Sequence, residues 1–272
     1  MTTLSEPAGK EPGVNPIPAG YYTVTPYLVA QDAAGLIEFV KRTFGAEEKF
    51  RTVGGAGGIH AEVRLGDSVL MIGGGGPELS WRGDPRLAAL HVYVSDADAV
   101  YRRALEAGGV SIGAPADQEY GERSWSVKDP FGNFWYIATA KGEHYIPTGL
   151  HTVNVYLHAV GTAQVIDFLR LGLGGEELAR HASADGVVHH AAVRIGDSVV
   201  ELGEAHGPYQ PMSGMVYLYV PDVDALYQRA LATGASSISA PADQSYGDRT
   251  AGVKDSFGNQ WYIATRVKDV AA

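Results

Sequence analysis

Apolar positions change period along the chain, and the changes mark the elements. Residues 22–29 form a β-branched and aromatic run that predicts a strand. At 33, 36, 37 and 40 the apolar residues fall on one stripe at helical spacing. They predict a helix over 33–44, with Asp32 as N-cap and Gly45 as its end. After a glycine-rich loop at 54–58, the segments 59–65 and 68–72 predict the arms of a hairpin turned by Gly66-Asp67. A two-residue turn fixes register, so Glu62 faces Met71, Arg64 faces Val69 and His60 faces Gly73. One hairpin face is then Ile59, Ala61, Val63, Leu65, Leu70 and Ile72; the other is His60, Glu62, Arg64, Val69 and Met71. The first face suits packing on helices, and the second suits an open concave surface. A strand at 90–94, a helix at 97–107 capped by Asp96, and a hairpin over 124–137 complete the first half.

The same rhythm returns. Residues 114–139, APADQEYGERSWSVKDPFGNFWYIAT, reappear at 240–265 as APADQSYGDRTAGVKDSFGNQWYIAT, with seven differences. A repeat of that length is a duplicated domain. The second half reads strand 153–158, helix 163–171, hairpin 188–202 around Gly196-Asp197, strand 216–220, helix 223–232 and hairpin 250–263. The expected organisation is a disordered tail at 1–19, one domain at 20–140, a polar linker at 141–149 and a second domain at 150–267. The class is α+β, with four strand–helix–strand–strand–strand units.

A chain with 45% hydrophobic and 19% charged residues is that of a globular protein, and no stretch is long enough to span a membrane. The start lacks the basic end and apolar run of a secretion signal. No cysteine is present, which excludes thiol nucleophiles, disulfides and cysteine-held zinc. A net charge of −10 argues against nucleic acid as a partner. The expectation is a cytoplasmic monomer or homodimer that meets a small molecule, with neither membrane nor nucleic acid as partner.

The stretches VTPYLVAQDAAGLIEFVKRTFGAEE, HAEVRLGDSVLMIGG and LHVYVSDADAVYRRALEAGG, with VNVYLHAVGTAQVIDFLRLGLGGEE in the second half, resemble the vicinal oxygen chelate superfamily of glyoxalase I, bleomycin-resistance proteins and extradiol dioxygenases, in its PhnB-like branch. The resemblance implies that two βαβββ units curl into one eight-stranded cup, so each half would hold its own cup. It also implies a divalent metal held by His, Glu or Gln at four cup positions. Those positions are Thr25, Met71, His91 and Tyr136 in the first half, and Asn154, Glu201, Tyr217 and Tyr262 in the second. That leaves one good ligand per cup, His91 or Glu201, where a site needs about three. No cofactor is therefore expected; a relocated metal on His60, Glu62 and His91 is the minor alternative.

The candidate chemistry lies on the polar hairpin faces. In the second half that face is His190, Ala192, Arg194, Val199 and Glu201, so the carboxylate moves across the strand pair while the histidine stays. His60 with Glu62, and His190 with Glu201, can be locally satisfied polar pairs or acid–base groups. Tyr27, Tyr93, Tyr136, Tyr156, Tyr217, Tyr219 and Tyr262 share the cup parity, and with Arg64, Met71, His91 and Arg194 they are the candidate ligand contacts. They either line a site for a flat, partly polar molecule or fill a collapsed cup. His144, His151, His158, His181 and His206 receive no role, and adjacent His189 and His190 point to opposite faces of a strand. Two functions remain: a sequestering binder of an aromatic or partly polar molecule, and a metal-independent lyase, isomerase or cyclase. A metal-dependent glyoxalase or dioxygenase ranks below both.

Overall fold

The computed structural model describes residues 11–76 and 79–269. Of the expected tail, residues 1–10 lie outside the described range. The first unit runs β1 (Val24–Ala30), α1 (Ala33–Phe44), β2 (Glu47–Val53), β3 (Ile59–Leu65) and β4 (Ser68–Gly74). The second is β5 (Ala89–Tyr93), α2 (Ala97–Glu106), the short β6 (Val110–Ser111) and β7 (Ala116–Asp117), β8 (Glu122–Lys128) and β9 (Phe134–Ala140). The third is β10 (Val153–Ala159), α3 (Thr162–Leu171), β11 (Glu176–Ala182), β12 (Val188–Ile195) and β13 (Ser198–Glu204). The fourth is β14 (Met215–Tyr219), α4 (Val223–Ala232), β15 (Ser236–Asp243), β16 (Asp248–Lys254) and β17 (Gln260–Arg266).

The caps explain the helix limits. Asp32, Asp96 and Asp222 accept from the backbone of Gly35, Ala99 and Ala225, and Gly45 ends α1 at φ 70°. The hairpin registers follow the two-residue turns: Glu62 faces Met71, and Ala192 faces Glu201.

The pairing of units corrects the expectation that each half closes on itself. One sheet has the order β15-β16-β17-β14-β1-β4-β3-β2, and the other β11-β12-β13-β10-β5-β9-β8-β6. The first and fourth units make the outer cup, and the second and third make the inner cup. β1 pairs antiparallel with β14, and β10 with β5. The edges offered by β5 and β14 are both short, largely apolar strands, ALHVY and MVYLY, and backbone pairing alone does not choose between them. Connection length favours what is seen. β9 and β10 lie in one sheet with only β5 between them, a span of roughly 10 Å that the segment 141–152 covers easily.

The halves are also knitted together. The Gly66-Asp67 turn receives the start of β10, through Thr152 N–H to Asp67 Oδ1 at 2.9 Å and Val153 N–H to Ser68 Oγ at 3.1 Å. The Gly196-Asp197 turn receives the start of β1 in the same way, from Thr23 and Val24. A Cβ on Gly66 would meet Thr152 Oγ1, so this close approach requires glycine. Between the two latches Tyr22 stacks on His151. One apolar core runs through both sheets and all four helices.

Residues 11–19 are not a free tail. Val14 and Pro18 are buried, the Pro16 carbonyl accepts from Arg266 at the end of β17, and Glu11 N–H reaches the Val267 carbonyl. No helix among the described residues is long and apolar enough to cross a membrane.

Candidate functional site

Because the units exchange, the residues expected one per cup come together in the inner cup. His91 on β5 places Nδ1 2.8 Å from Glu201 Oε2 on β13. The other Glu201 oxygen lies 3.3 Å from His190 Nε2 on β12. On the far side of His91, Nε2 stands 3.6 Å from Glu122 Oε2 on β8, beyond hydrogen-bond reach. Glu122 uses its other oxygen to accept from the Tyr93 hydroxyl at 2.6 Å. One imidazole thus lies between two carboxylates, stacked on the ring of Tyr93. Further along, the Tyr136 hydroxyl meets His158 Nε2 at 2.7 Å, and His158 stacks on Tyr209 from the β13–β14 loop. Tyr156 packs on both Tyr136 and His158. Tyr120, 73% exposed, lies on the turn that leads into β8. A cleft of about 380 Å³ opens beside His158, lined also by Pro211, Met212 and Phe257.

The electrostatics follow from burial and pairing. Burial alone would lower the His91 pKa, but the Glu201 charge and hydrogen bond and the Glu122 charge outweigh it and raise the value above 6.5. Burial would raise Glu201, yet the His91 charge, with His190, brings it down to about 2. His158 is pushed down to about 4 by burial and by His206, so at neutral pH it is an uncharged acceptor for the Tyr136 proton.

These shifts set a pH window. The Glu201 contribution to stability is present above its unfolded value of 4.5 and is lost as pH falls toward about 2. The His91 contribution is complete below 6.5 and is lost as pH rises through its elevated folded value. NMR titration should therefore find His91 titrating above 6.5, and Glu201→Gln should move that midpoint downward. An unmoved midpoint would break the assigned pair.

The outer cup holds different chemistry. Tyr27 donates to or accepts from His60 Nδ1 at 2.9 Å, and Glu62 stays 3.9 Å from His60 Nε2. Glu62 instead stands near Tyr21, whose hydroxyl pKa is raised by burial first and then by Glu62. Tyr21 and Ile17 pack on Met71, Tyr219 and Ala264, beside Tyr27 and Tyr217. Tyr219 donates to Asp248, which also accepts from Arg266. Tyr262 is the β17 partner of Tyr217.

Several expected contacts are placed otherwise. Arg194 is ion-paired with Glu176 at an exposed strand end, which takes it from the ligand contacts. Arg64 lies against the Gly20 turn of the N-terminal segment. A metal on His60, Glu62 and His91 is ruled out by topology, because His91 belongs to the other cup.

Nor do the family's metal positions offer a metal's ligands. In the outer cup they are Thr25, Met71, Tyr217 and Tyr262. In the inner cup Asn154 spends its amide on the His151 backbone, Tyr136 is bonded to His158, and His91 and Glu201 bond each other. Among the described residues no three His, Asp or Glu side chains are arranged around a common point that could take an ion.

Sequence reasoning missed Glu122, His158 and Tyr209. Glu122 had a signal, since the matching residue in the other copy, Asp248, is also acidic and also receives a tyrosine hydroxyl. His158 had none, because Val29 stands at its place in the first unit.

The glyoxalase/bleomycin resistance protein/dioxygenase superfamily model matches residues 21–137 and 157–263. An uncharacterised protein of Mycobacterium bovis is 36% identical over 124 residues, 42% of this chain and 80% of that one. The anthracycline biosynthesis protein DnrV of Streptomyces peucetius is 29% identical over 183 residues, 64% of each chain. Glyoxalase I from Zea mays superposes with a TM-score of 0.67 over 89% of this chain and 92% of that one, at 13% identity, a likeness of fold alone.

Proposed function

The chain belongs to the glyoxalase/bleomycin resistance protein/dioxygenase superfamily, and from that premise we propose that its inner cup binds a flat, hydroxyl-bearing aromatic molecule without the family metal. One observation carries the reading. Among the described residues five buried side-chain polar atoms lack a hydrogen-bond partner, and three of them are His91 Nε2, Glu122 Oε2 and His158 Nδ1 in the inner cup. An unsatisfied buried polar group costs about 1–3 kcal/mol, so such atoms gather where a ligand completes them. One aromatic hydroxyl can serve the first two, accepting from His91 Nε2–H and donating to Glu122 Oε2. Tyr136, Tyr156 and Tyr209 supply flat faces for the ring. The relative named for anthracycline biosynthesis supports an aromatic ligand. Sequestration follows from this arrangement directly, since it needs no bond to be made or broken.

A second reading, a metal-independent lyase, isomerase or cyclase, is favoured by the same imidazole. A charged His91 flanked by two carboxylates can give up a proton to a bound carbonyl or enol. The test for binding is calorimetric titration with naphthol. The wild type should bind, and Glu122→Gln, which keeps the shape and removes the charge, should weaken binding about tenfold, the worth of a charge-assisted hydrogen bond. Equal affinity in the two proteins would overturn the reading.

A further inference from the structure

The N-terminal segment and the linker between the halves are themselves copies. Ile17-Pro18-Ala19-Gly20-Tyr21 before β1 matches Ile146-Pro147-Thr148-Gly149-Leu150 before β10. Both make the same turn: Tyr21 N–H bonds to the Pro18 carbonyl and Leu150 N–H to the Pro147 carbonyl, each at 3.1 Å, with Gly20 and Gly149 both at φ 86°. Both cross the end of the cup's last strand, where Arg266 N–H bonds to Pro16 and Ala140 N–H to Tyr145. Each cup therefore has the same lip, and the lips differ where it matters. Where the outer cup has Tyr21 and Glu62, the inner cup has Leu150 and Ala192. The phenol and the carboxylate near it are exchanged together, one on the lip and one on the hairpin.

From this paired exchange we propose that the outer cup is a second site for a hydroxyl-bearing aromatic molecule, occupied by the chain's own Tyr21 phenol with Glu62 as its acceptor. Tyr21 sits as such a ligand would, its ring edge-on to Tyr219 with centroids 5.3 Å apart and at 62°. The occupant is lightly tethered. Among the described residues, two backbone hydrogen bonds join residues 11–21 to the last strand and the residue after it, from Arg266 to Pro16 and from Glu11 to Val267. The three prolines of the segment, Pro12, Pro16 and Pro18, have no N–H to add. A free phenol at sufficient concentration competes with Tyr21 for the tyrosine floor and for Glu62. In the inner cup the lip carries Leu150, which offers no such group.

The test is the stoichiometry of naphthol binding by calorimetry in the full chain. Tyr21→Leu installs the inner cup's own lip residue and should add one equivalent of naphthol to whatever the wild type binds. Tyr21→Leu with Glu62→Gln should lose that gain. Adding Glu122→Gln to Tyr21→Leu separates the sites: the gained equivalent remains while the inner-cup equivalent weakens. Failure of the inner-cup reading would show as no binding by the wild type, whereas failure of this proposal would show as no gain on Tyr21→Leu. Should Tyr21→Leu not fold, Tyr21→Phe keeps the ring and removes only the hydroxyl. It should let naphthol enter the outer cup at about tenfold lower concentration than in the wild type, the loss of one charge-assisted hydrogen bond. An unchanged stoichiometry, a gained equivalent indifferent to Glu62→Gln, or a Tyr21→Phe chain that behaves as wild type overturns the proposal.

Discussion

Asp129→Ala should cost about 3–5 kcal/mol of stability, the range of a buried acceptor removed from several donors at once. Asp129 is 4% exposed and accepts four hydrogen bonds. One oxygen takes the N–H groups of Phe131 and Asn133, each at 2.9 Å; the other takes Asn133 Nδ2 at 2.8 Å and Trp135 Nε1 at 2.9 Å. Asn133 in turn accepts from Ala88 N–H, which fixes the entry to β5. The indole of Trp135 is fully buried against Phe39 and Phe44 of α1. Alanine would strand those donors where water does not reach them. Asp255 repeats the arrangement with Phe257, Asn259 and Trp261, so Asp255→Ala should cost a similar amount. Both sheets share one core, so urea should unfold either variant in one transition with a lowered midpoint. A loss below about 1 kcal/mol, or two separated transitions, would contradict this account.

The second large effect falls on ligand binding. His91→Ala should weaken naphthol about a hundredfold, through loss of the donor at Nε2 and loss of the charge that balances two carboxylates. Glu201 and Glu122 would then be left without the cation between them, and a bound hydroxyl would find acceptors on both sides. In the wild type the affinity should also fall as pH rises through the elevated His91 pKa, since the neutral ring keeps its proton at Nδ1 for Glu201 and presents a lone pair at Nε2. An affinity indifferent to His91, or rising with pH, would contradict the assigned role.

What the sequence disclosed, and what it withheld, both have physical causes. The helices that begin at Ala33 and Ala97 were legible because a burial stripe and a capping aspartate coincide. The hairpin registers, and with them the placing of Glu62 and Glu201 on the cup faces, were legible because a two-residue turn leaves no freedom to slip. The edge strands β2 and β11 were not located, because they are exposed on both faces and carry no alternation. Pairing of units was illegible for another reason: β5 and β14 are both short, largely apolar strands, and the backbone edge of either could pair with β1. That ambiguity decided the site, since it scattered His91 and Glu201 between two cups when they share one. Residues 11–19 read as a tail because prolines and glycines hid Val14 and Ile17, and because the backbone partners of Pro16 and Glu11, Arg266 and Val267, lie far away in sequence. Within the most repeated stretch, the turn around Asp129 or Asp255 is a structural knot, while Glu122 and Tyr136 of the same stretch belong to the candidate site.

The central claim is that ligand enters the cup built from the second and third units and engages His91. Imidazole NMR signals followed during a naphthol titration of the wild-type chain test it most directly. The account predicts that His91 and His158 shift first and saturate together, while His60, in the cup held shut by Tyr21, moves only at much higher concentration. Shifts confined to His60, with His91 and His158 unmoved at saturation, would contradict it.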